Sequence, residues 1–219
     1  MTRTFTIHSS SGASFHLDLE RELNEAQRAA VTCGDGPKLV IAGAGSGKTR
    51  TITYRVAFLM TRGIHPSQIL LATFTNKAAR EMLNRVEALT GGDAGSIWGG
   101  TFHAIGNRIL RRHGPLVGLQ ANYSILDDED QRDLLRVCVT EAKVKVEEKR
   151  FPAPAVIEDL LSMAFNTQRT LSALLEERAP HFGMWTEELQ RVGARYETKK
   201  RAANAVDYYD LLRFWLKLL

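Results

Sequence analysis

The sequence has few cysteines, no long apolar run and no cluster of metal-ligating side chains, and each absence excludes a class of protein. Its 219 residues contain two cysteines, Cys33 and Cys138, which excludes a disulfide-rich secreted scaffold. No group of cysteine and histidine residues has the spacing of a zinc site. The longest apolar runs, such as residues 39–42, are far too short to cross a bilayer, and the first residues lack the apolar core of a secretory signal. These absences predict a reduced, cytoplasmic protein without a membrane partner.

The overall composition is that of an ordinary globular chain. Hydrophobic residues make up 44% and charged residues 25% of the sequence, which excludes a disordered, collagen-like or coiled-coil protein. Lysine and arginine number 29 against 25 acidic residues, so the formal net charge is +4 at pH 7. An excess this small is only a weak indication of a polyanionic partner, and the position of the basic residues matters more.

Segments typical of buried strands alternate with segments typical of helices in the first half of the chain. After a short strand or arm within residues 1–22, strands are predicted at residues 38–42, 69–74 and 97–101. Amphipathic helices are predicted at residues 25–31 and after each strand. This alternation predicts an α/β fold with a parallel sheet. From about residue 114 helical periodicity dominates, which predicts a helical subdomain appended to the α/β part or inserted into it.

The most informative motif is a phosphate loop, Ala42-Gly-Ala-Gly-Ser-Gly-Lys-Thr49. Its glycines allow the backbone to turn tightly, so that several N–H groups and the start of the next helix face one phosphate. Lys48 is then expected to reach the β- and γ-phosphates, and the Thr49 hydroxyl to ligate Mg²⁺. A chance glycine-rich turn is the alternative. The position of the motif between a predicted strand and a predicted helix favours nucleotide binding.

Three further segments accompany the loop in a fixed order: Leu23-Asn-Glu-Ala-Gln27 before it, then Thr73-Phe-Thr-Asn-Lys-Ala-Ala79 and Gly100-Thr-Phe-His103. Together the four segments resemble the UvrD/Rep/PcrA family of superfamily 1 DNA helicases. The resemblance continues more loosely through residues 123–130 and 205–212, and so covers nearly all of residues 23–219. It implies a partial RecA-like phosphate-loop NTPase domain with a mainly helical insertion. In that family the domain moves 3′-to-5′ along single-stranded DNA as ATP is hydrolysed.

The resemblance also implies a division of the chain. Residues 1–113 would form the first part of a RecA-like, ATP-binding motor domain, residues 114–205 the helical insertion, and residues 206–219 the return to the motor domain, truncated before the Walker B motif. The acidic run at residues 127–130 is rejected as Walker B, because the apolar run before it is short and the acids fit a helix N-cap and first turn. The 219 residues are therefore expected to bind Mg-ATP weakly and not to hydrolyse it without the remaining helicase domains.

By the resemblance, further residues would bind the nucleotide. The Gln27 amide would match the N6 and N7 groups of adenine; the alternative is that Gln27 only caps its helix, with Asn24, in a capping box. Arg50 would lie near the nucleotide, or be an ordinary surface arginine. The predicted nucleotide-binding residues are Gln27, Ala42, Gly43, Ala44, Gly45, Ser46, Gly47, Lys48, Thr49 and Arg50, with Lys48 and Thr49 as catalytic residues.

The resemblance implies a DNA track at the ends of the second and third strands, where ligands bind in parallel sheets. An aromatic ring at such a place stacks on a base without reading its identity. This role is favoured for Phe74, whereas Phe102 either stacks or packs in the core. The predicted nucleic-acid residues are Phe74, Thr75, Asn76, Lys77, Thr101, Phe102 and His103.

Two basic stretches leave their roles open. Arg108, Arg111 and Arg112 share one helix face, where they either contact phosphates or form a solvated face. Residues 191–201 contain five basic side chains and one acidic one, and duplex DNA is a possible partner. Two other functions also remain: a non-enzymatic module that binds single-stranded DNA or ATP, and a small nucleotide kinase. The kinase would need an acceptor site and an arginine-rich lid, for which residues 113–219 offer no convincing version.

Overall fold

The structure, a computed structural model, describes residue 15 and residues 17–92, 94–144 and 151–219. The chain divides into two compact units between Ile105 and Gly106. Across the described residues the fold is mixed α/β and mostly helical, with two small parallel sheets. In this part of the chain no helix is both long enough and apolar enough to span a membrane.

The first unit contains a two-stranded parallel sheet and the helices around it. Its elements are α1 (Leu19–Glu22), α2 (Glu25–Thr32), α3 (Lys48–Thr61), β1 (Leu70–Thr73), α4 (Asn76–Thr90), β2 (Trp98–Thr101) and the first residues of α5 (Phe102–His113). β1 and β2 are in register from Leu70 opposite Trp98 to Thr73 opposite Thr101, so the two strands end side by side. The strands predicted at residues 69–74 and 97–101 are thus confirmed.

Local sequence signals account for most helix boundaries in this unit. The capping box predicted at Asn24 and Gln27 is confirmed: the Asn24 side chain accepts from Gln27 N and the Gln27 side chain accepts from Asn24 N. Thr75 caps α4, and Gly91 ends it with a left-handed φ of 72°. The apolar face of α4 buries Met82 and Val86 in a core that also contains Val56, Ile69, Leu71 and Ile97.

One prediction for this unit is wrong, and a second is contradicted only at residues 19–22. Residues 38–42 form neither a strand nor a helix, and Leu39 and Ile41 are 87% and 90% exposed. The composition is that of a buried strand, but a strand also needs a hydrogen-bonded neighbour, and none of the described residues supplies one. At the N-terminus, α1 is a short helix where a strand or arm was predicted; the rest of that prediction lies mainly on residues 1–14 and 16, outside the described residues.

The second unit is mainly helical, as the periodicity predicts. Its elements after α5 are β3 (Ser124–Ile125), α6 (Asp128–Glu141), α7 (Pro154–Asn166), α8 (Leu171–Arg178), α9 (Thr186–Ala202), β4 (Ala205–Val206) and α10 (Tyr208–Leu218). β3 and β4 form the second parallel pair. Asp127 caps α6 by accepting from Glu129 N and Asp130 N, at 3.0 and 2.9 Å. The acids at residues 127–130 therefore begin a helix, as expected.

A buried ionic cluster joins the end of α9 to the start of α10. The Lys200 side chain is 3% exposed, and its Nζ lies 2.6 Å from Asp207 Oδ2 and 2.6 Å from Asp210 Oδ2. The same two aspartates form the capping box of α10. Burial raises the pKa of Asp210 even though Lys200 opposes the shift. The cluster fixes the chain reversal through β4, because each carboxylate both caps a helix and neutralises the buried ammonium.

Candidate nucleotide and nucleic-acid sites

The phosphate loop is a glycine-rich turn that leads directly into α3. Gly45 and Gly47 have left-handed φ values of 75° and 83°, a conformation that favours glycine. Ser46 Oγ donates to Gly43 O at 2.7 Å and narrows the turn. Because α3 begins at Lys48, its first backbone N–H groups have no partner within the helix and are available to an anion.

Lys48 folds back over this loop. Its Nζ donates to Gly43 O at 2.6 Å and to Ala42 O at 3.2 Å. An ammonium group has three N–H donors, so these two bonds leave one for a phosphate oxygen. Thr49 is the second residue of α3 and is half-buried. An ammonium, a helix start and a hydroxyl oxygen form a donor set that fits a magnesium-bound triphosphate.

The Gln27 amide is bonded on both of its polar atoms. Oε1 accepts from Asn24 N at 3.2 Å, and Nε2 donates to Ser46 O at 2.9 Å. Each atom retains a second hydrogen-bonding position, so the cap and a contact to adenine are compatible. The bond to Ser46 was not foreseen, because it joins residues 19 positions apart.

Arg50 has two partners that the sequence analysis missed. Its guanidinium forms an ion pair with Glu22 and lies 5.3 Å from the centre of the Tyr54 ring. Tyr54 Oη also donates to the Glu22 carboxylate at 3.2 Å, and burial together with that carboxylate raises the pKa of Tyr54. The four-residue spacing of Arg50 and Tyr54 on a helix is a signal that could have revealed this pair.

A cavity of about 710 Å³ lies against the loop within the first unit. Among the predicted nucleotide-binding residues it is lined by Gln27, Ala42, Gly43, Ser46 and Lys48. Its lining does not include Ala44, Gly45, Gly47, Thr49 or Arg50. Within the described residues no cluster of three or more acidic, histidine or cysteine side chains could hold a metal ion. A magnesium ion would therefore take its ligands mainly from the phosphates, water and Thr49, as this ion usually does.

The predicted DNA residues lie where β1 and β2 end side by side. Phe74 follows β1 and is 91% exposed, while Phe102 follows β2 and is 42% exposed. Their ring centroids are 6.1 Å apart, with an interplanar angle of 67°. Core packing, the alternative for Phe102, does not fit this exposure. The two rings instead form a surface pair at the carboxyl edge of the sheet.

The polar residues beside these rings divide into two groups. Thr75 Oγ1 accepts from Ala78 N, and Thr101 Oγ1 accepts from Ala104 N, each at 3.1 Å, so both hydroxyls cap helices. Asn76 and Lys77 are exposed in the first turn of α4, and His103 is half-buried in the first turn of α5. The structure thus brings the predicted residues of each strand end together.

Arg111 of the first basic stretch and most of the second stretch are engaged within the protein. Arg111 lies 3.8 Å from the centre of the Tyr123 ring and donates to Ala121 O and Tyr123 O at 2.9 and 2.6 Å. Within residues 191–201, four of the five basic residues have ion pairs with described residues: Arg191 with Glu188, Arg195 and Lys199 with Glu141, and Lys200 with Glu197, Asp207 and Asp210. The local excess of positive charge is therefore mostly neutralised.

Comparison with known proteins places these features in a family. The family model described as "UvrD/REP helicase N-terminal domain" matches residues 23–219. The chain is 38% identical over 197 residues to the ATP-dependent DNA helicase PcrA of Bacillus subtilis, covering 90% of this chain and 26% of that protein. It is 40% identical over 200 residues to the ATP-dependent DNA helicase UvrD1 of Mycobacterium tuberculosis, covering 87% of this chain and 24% of that protein.

The chain thus spans about a quarter of the length of these relatives. The family match covers the phosphate loop, both strand ends and the helical unit alike. A match of this extent shows that the chain belongs to the UvrD/REP helicase N-terminal domain family.

Proposed function

We propose that this chain is the ATP- and single-stranded-DNA-binding part of an ATP-dependent DNA helicase that moves 3′-to-5′ in the full-length protein. The observation that carries the proposal is a phosphate loop opening a helix in the same unit as two exposed rings at adjacent strand ends. The names of the relatives, ATP-dependent DNA helicases, support the activity. A single-strand/duplex junction is the proposed DNA substrate, and the cytoplasm the proposed location.

The finer architecture is part of the same proposal. Residues 1–113 and 206–219 would belong to a RecA-like motor domain, and residues 114–205 to its helical insertion. In the full-length protein, additional strands would pair beside β1 and cover the exposed apolar run at residues 39–41. That arrangement would give residues 38–42 the neighbours that a strand requires.

The nucleotide roles follow from the donors around the loop. Lys48 Nζ would give up a hydrogen bond to a loop carbonyl and bind the β- and γ-phosphates. The N–H groups at the start of α3 would bind a phosphate, and the Thr49 hydroxyl would ligate Mg²⁺. Gln27 would read adenine through its remaining donor and acceptor, and Arg50 would lie beside the nucleotide. Bound Mg-ATP supplies the phosphoanhydride bond whose hydrolysis drives movement. Residues outside these 219 would supply the acid that activates water.

The DNA roles follow from exposure. Phe74 and Phe102 would stack on bases of a single strand, at roughly 1–3 kcal/mol per base. Asn76 and Lys77 would contact the DNA backbone, and Thr75, Thr101 and His103 would line the same DNA track. Stacking of this kind is indifferent to base identity, which suits a motor that must cross any sequence.

The nucleotide part of the proposal is tested by calorimetric titration of the 219-residue chain with Mg-ATP. We expect weak binding that Lys48→Ala abolishes and Lys199→Ala leaves unchanged, since Lys199 belongs to the second unit, pairs with Glu141 and does not line the cavity. The same preparations should release no phosphate. Sustained hydrolysis that disappears in Lys48→Ala would contradict the dependence on residues beyond these 219.

The DNA part is tested by fluorescence anisotropy with labelled oligo(dT). We expect Phe74→Ala to weaken binding about 5- to 160-fold, the equivalent of one lost stacking contact of about 1–3 kcal/mol. Leu116→Ala is a matched control, because this exposed apolar side chain belongs to the second unit and not to the strand ends of the first. Equal losses in the two variants, or none in Phe74→Ala, would contradict the proposed track.

A further inference from the structure

We infer that Gln27 is a positioning residue that holds the phosphate loop in its binding conformation. This inference rests on the proposed nucleotide site, and it assigns Gln27 a role in triphosphate binding that does not depend on the base. The amide joins the capped start of α2 to the last turn of the loop. Its Oε1 accepts from Asn24 N, and its Nε2 donates to Ser46 O.

The fit between Gln27 and the loop is close. A Cβ atom built on Gly47 would lie 2.6 Å from Gln27 Nε2, well inside van der Waals contact. Gly47 is also left-handed and immediately precedes α3. Glycine is thus required there both for its backbone conformation and for the space that the amide occupies. The side chain of Gln27 therefore lies directly against the residue whose conformation directs the first N–H groups of α3.

The rest of the loop lacks comparable support. The bonds from Ser46 Oγ and Lys48 Nζ end on carbonyls of the loop itself. The Thr51 hydroxyl donates to Gly47 O at 3.2 Å, but Thr51 belongs to α3, the helix that the loop enters. Residues 43–46 are exposed, and residues 38–42 have no strand partner in the described part of the chain. The Gln27 bond to Ser46 ties this loop to a capped helix. Its loss should therefore loosen the loop before any ligand binds.

Hydrogen exchange measured by mass spectrometry on the ligand-free chain tests this directly. Gln27→Glu keeps an acceptor for Asn24 N, as glutamate is the usual partner in a capping box, but cannot donate to Ser46 O. We expect exchange in residues 43–49 to become about fivefold faster, the equivalent of one net hydrogen bond, while α2 stays as protected as in the unaltered chain. Unchanged exchange in residues 43–49 would overturn the inference.

Asn24→Ala is the matched control, because it removes the side-chain cap of α2 but leaves the Gln27 amide in place. Exchange should rise in the first turn of α2 and not in residues 43–49. If Asn24→Ala loosened the loop as much as Gln27→Glu, the support would come from the helix cap alone, and the inference would fail.

Binding of a ligand without a base separates the two roles of Gln27. The neutral variant Gln27→Met should weaken binding of Mg–tripolyphosphate about fivefold, and binding of Mg-ATP by at least that factor, because the contact to adenine is lost as well. Weakening of ATP alone would mean that Gln27 acts only through adenine. If the unaltered chain bound neither ligand, the proposed function would fail, whereas the exchange experiment would still decide the role of Gln27.

Discussion

Lys200 is a residue at which the stability of the fold depends on one buried charge. Its ammonium lies between Asp207 and Asp210, and the Lys200 side chain is 3% exposed. Lys200→Met should therefore destabilise the chain by about 3–5 kcal/mol in urea unfolding, because it leaves Asp207 buried without its ammonium and Asp210 with only the more distant Arg213, at 3.5 Å. Lys199→Met, one residue earlier and paired with Glu141 nearer the surface, should cost less than about 1 kcal/mol.

The stability lost in Lys200→Met should depend on pH through the pKa of Asp210. Burial raises the pKa of this carboxyl, so the folded state binds its proton more tightly than the unfolded state. Its protonation stabilises the fold as the pH falls, and stability is lost as the pH rises through the raised pKa. Without the ammonium that pKa rises further. The difference in free energy of unfolding between Lys200→Met and the unaltered chain should thus be larger at about pH 7 than at about pH 4. An equal difference at the two pH values would contradict the assignment of this pH dependence to Asp210.

Arg111 illustrates a basic residue whose role is structural. Its two bonds to backbone carbonyls and its stacking on Tyr123 hold the segment before β3. Arg111→Ala should lower the free energy of unfolding by about 2 kcal/mol, and Arg112→Ala, which removes the same charge from the same helix, by less than about 0.5 kcal/mol. A loss of oligo(dT) affinity in Arg111→Ala without a loss of stability would instead indicate a phosphate contact.

At the scale of elements, the close packing of β2 on α4 depends on a glycine. A Cβ atom on Gly99 would lie 2.7 Å from the Leu83 side chain. Gly99→Ala should therefore cost about 1–3 kcal/mol in urea unfolding. Gly95→Ala, where a Cβ would meet nothing within 4 Å, should be close to neutral.

The same contact can be checked by a double-mutant cycle. Shortening Leu83 to alanine removes the atoms that an added Cβ on Gly99 would meet. The cost of Gly99→Ala plus Leu83→Ala should then be smaller than the sum of the single costs. Additive costs would show that the strain lies in the strand backbone rather than between the strand and α4.

The predictions from sequence succeeded where the signal is local. Caps at Asn24 and Asp127, and the strands leading to Phe74 and Phe102, can be found in a few consecutive residues. The strand predicted at residues 38–42 failed because its composition does not reveal which strand lies beside it. The Gln27 bond to Ser46 was equally inaccessible, since it depends on how two separate segments pack.

At the scale of the whole molecule, the positions of the charged residues are a better guide to DNA binding than the net charge. The net charge is +4, yet most basic side chains in residues 191–201 are paired with carboxylates. Such pairs neutralise charge that would otherwise release counterions from DNA. Lys77, by contrast, is exposed in the first turn of α4, three residues after Phe74. The electrostatic part of DNA binding should therefore originate in the first unit.

The salt dependence of DNA binding tests this distribution. A lysine that neutralises one phosphate of a single strand contributes about −0.7 to the slope of log K against log salt concentration. Lys77→Met should make the slope for oligo(dT) shallower by about 0.7, while Lys199→Met removes the same charge from the chain and should leave it unchanged. If instead Lys199→Met flattened the slope and Lys77→Met did not, the ion pair with Glu141 would open on binding, and DNA would contact the helical unit.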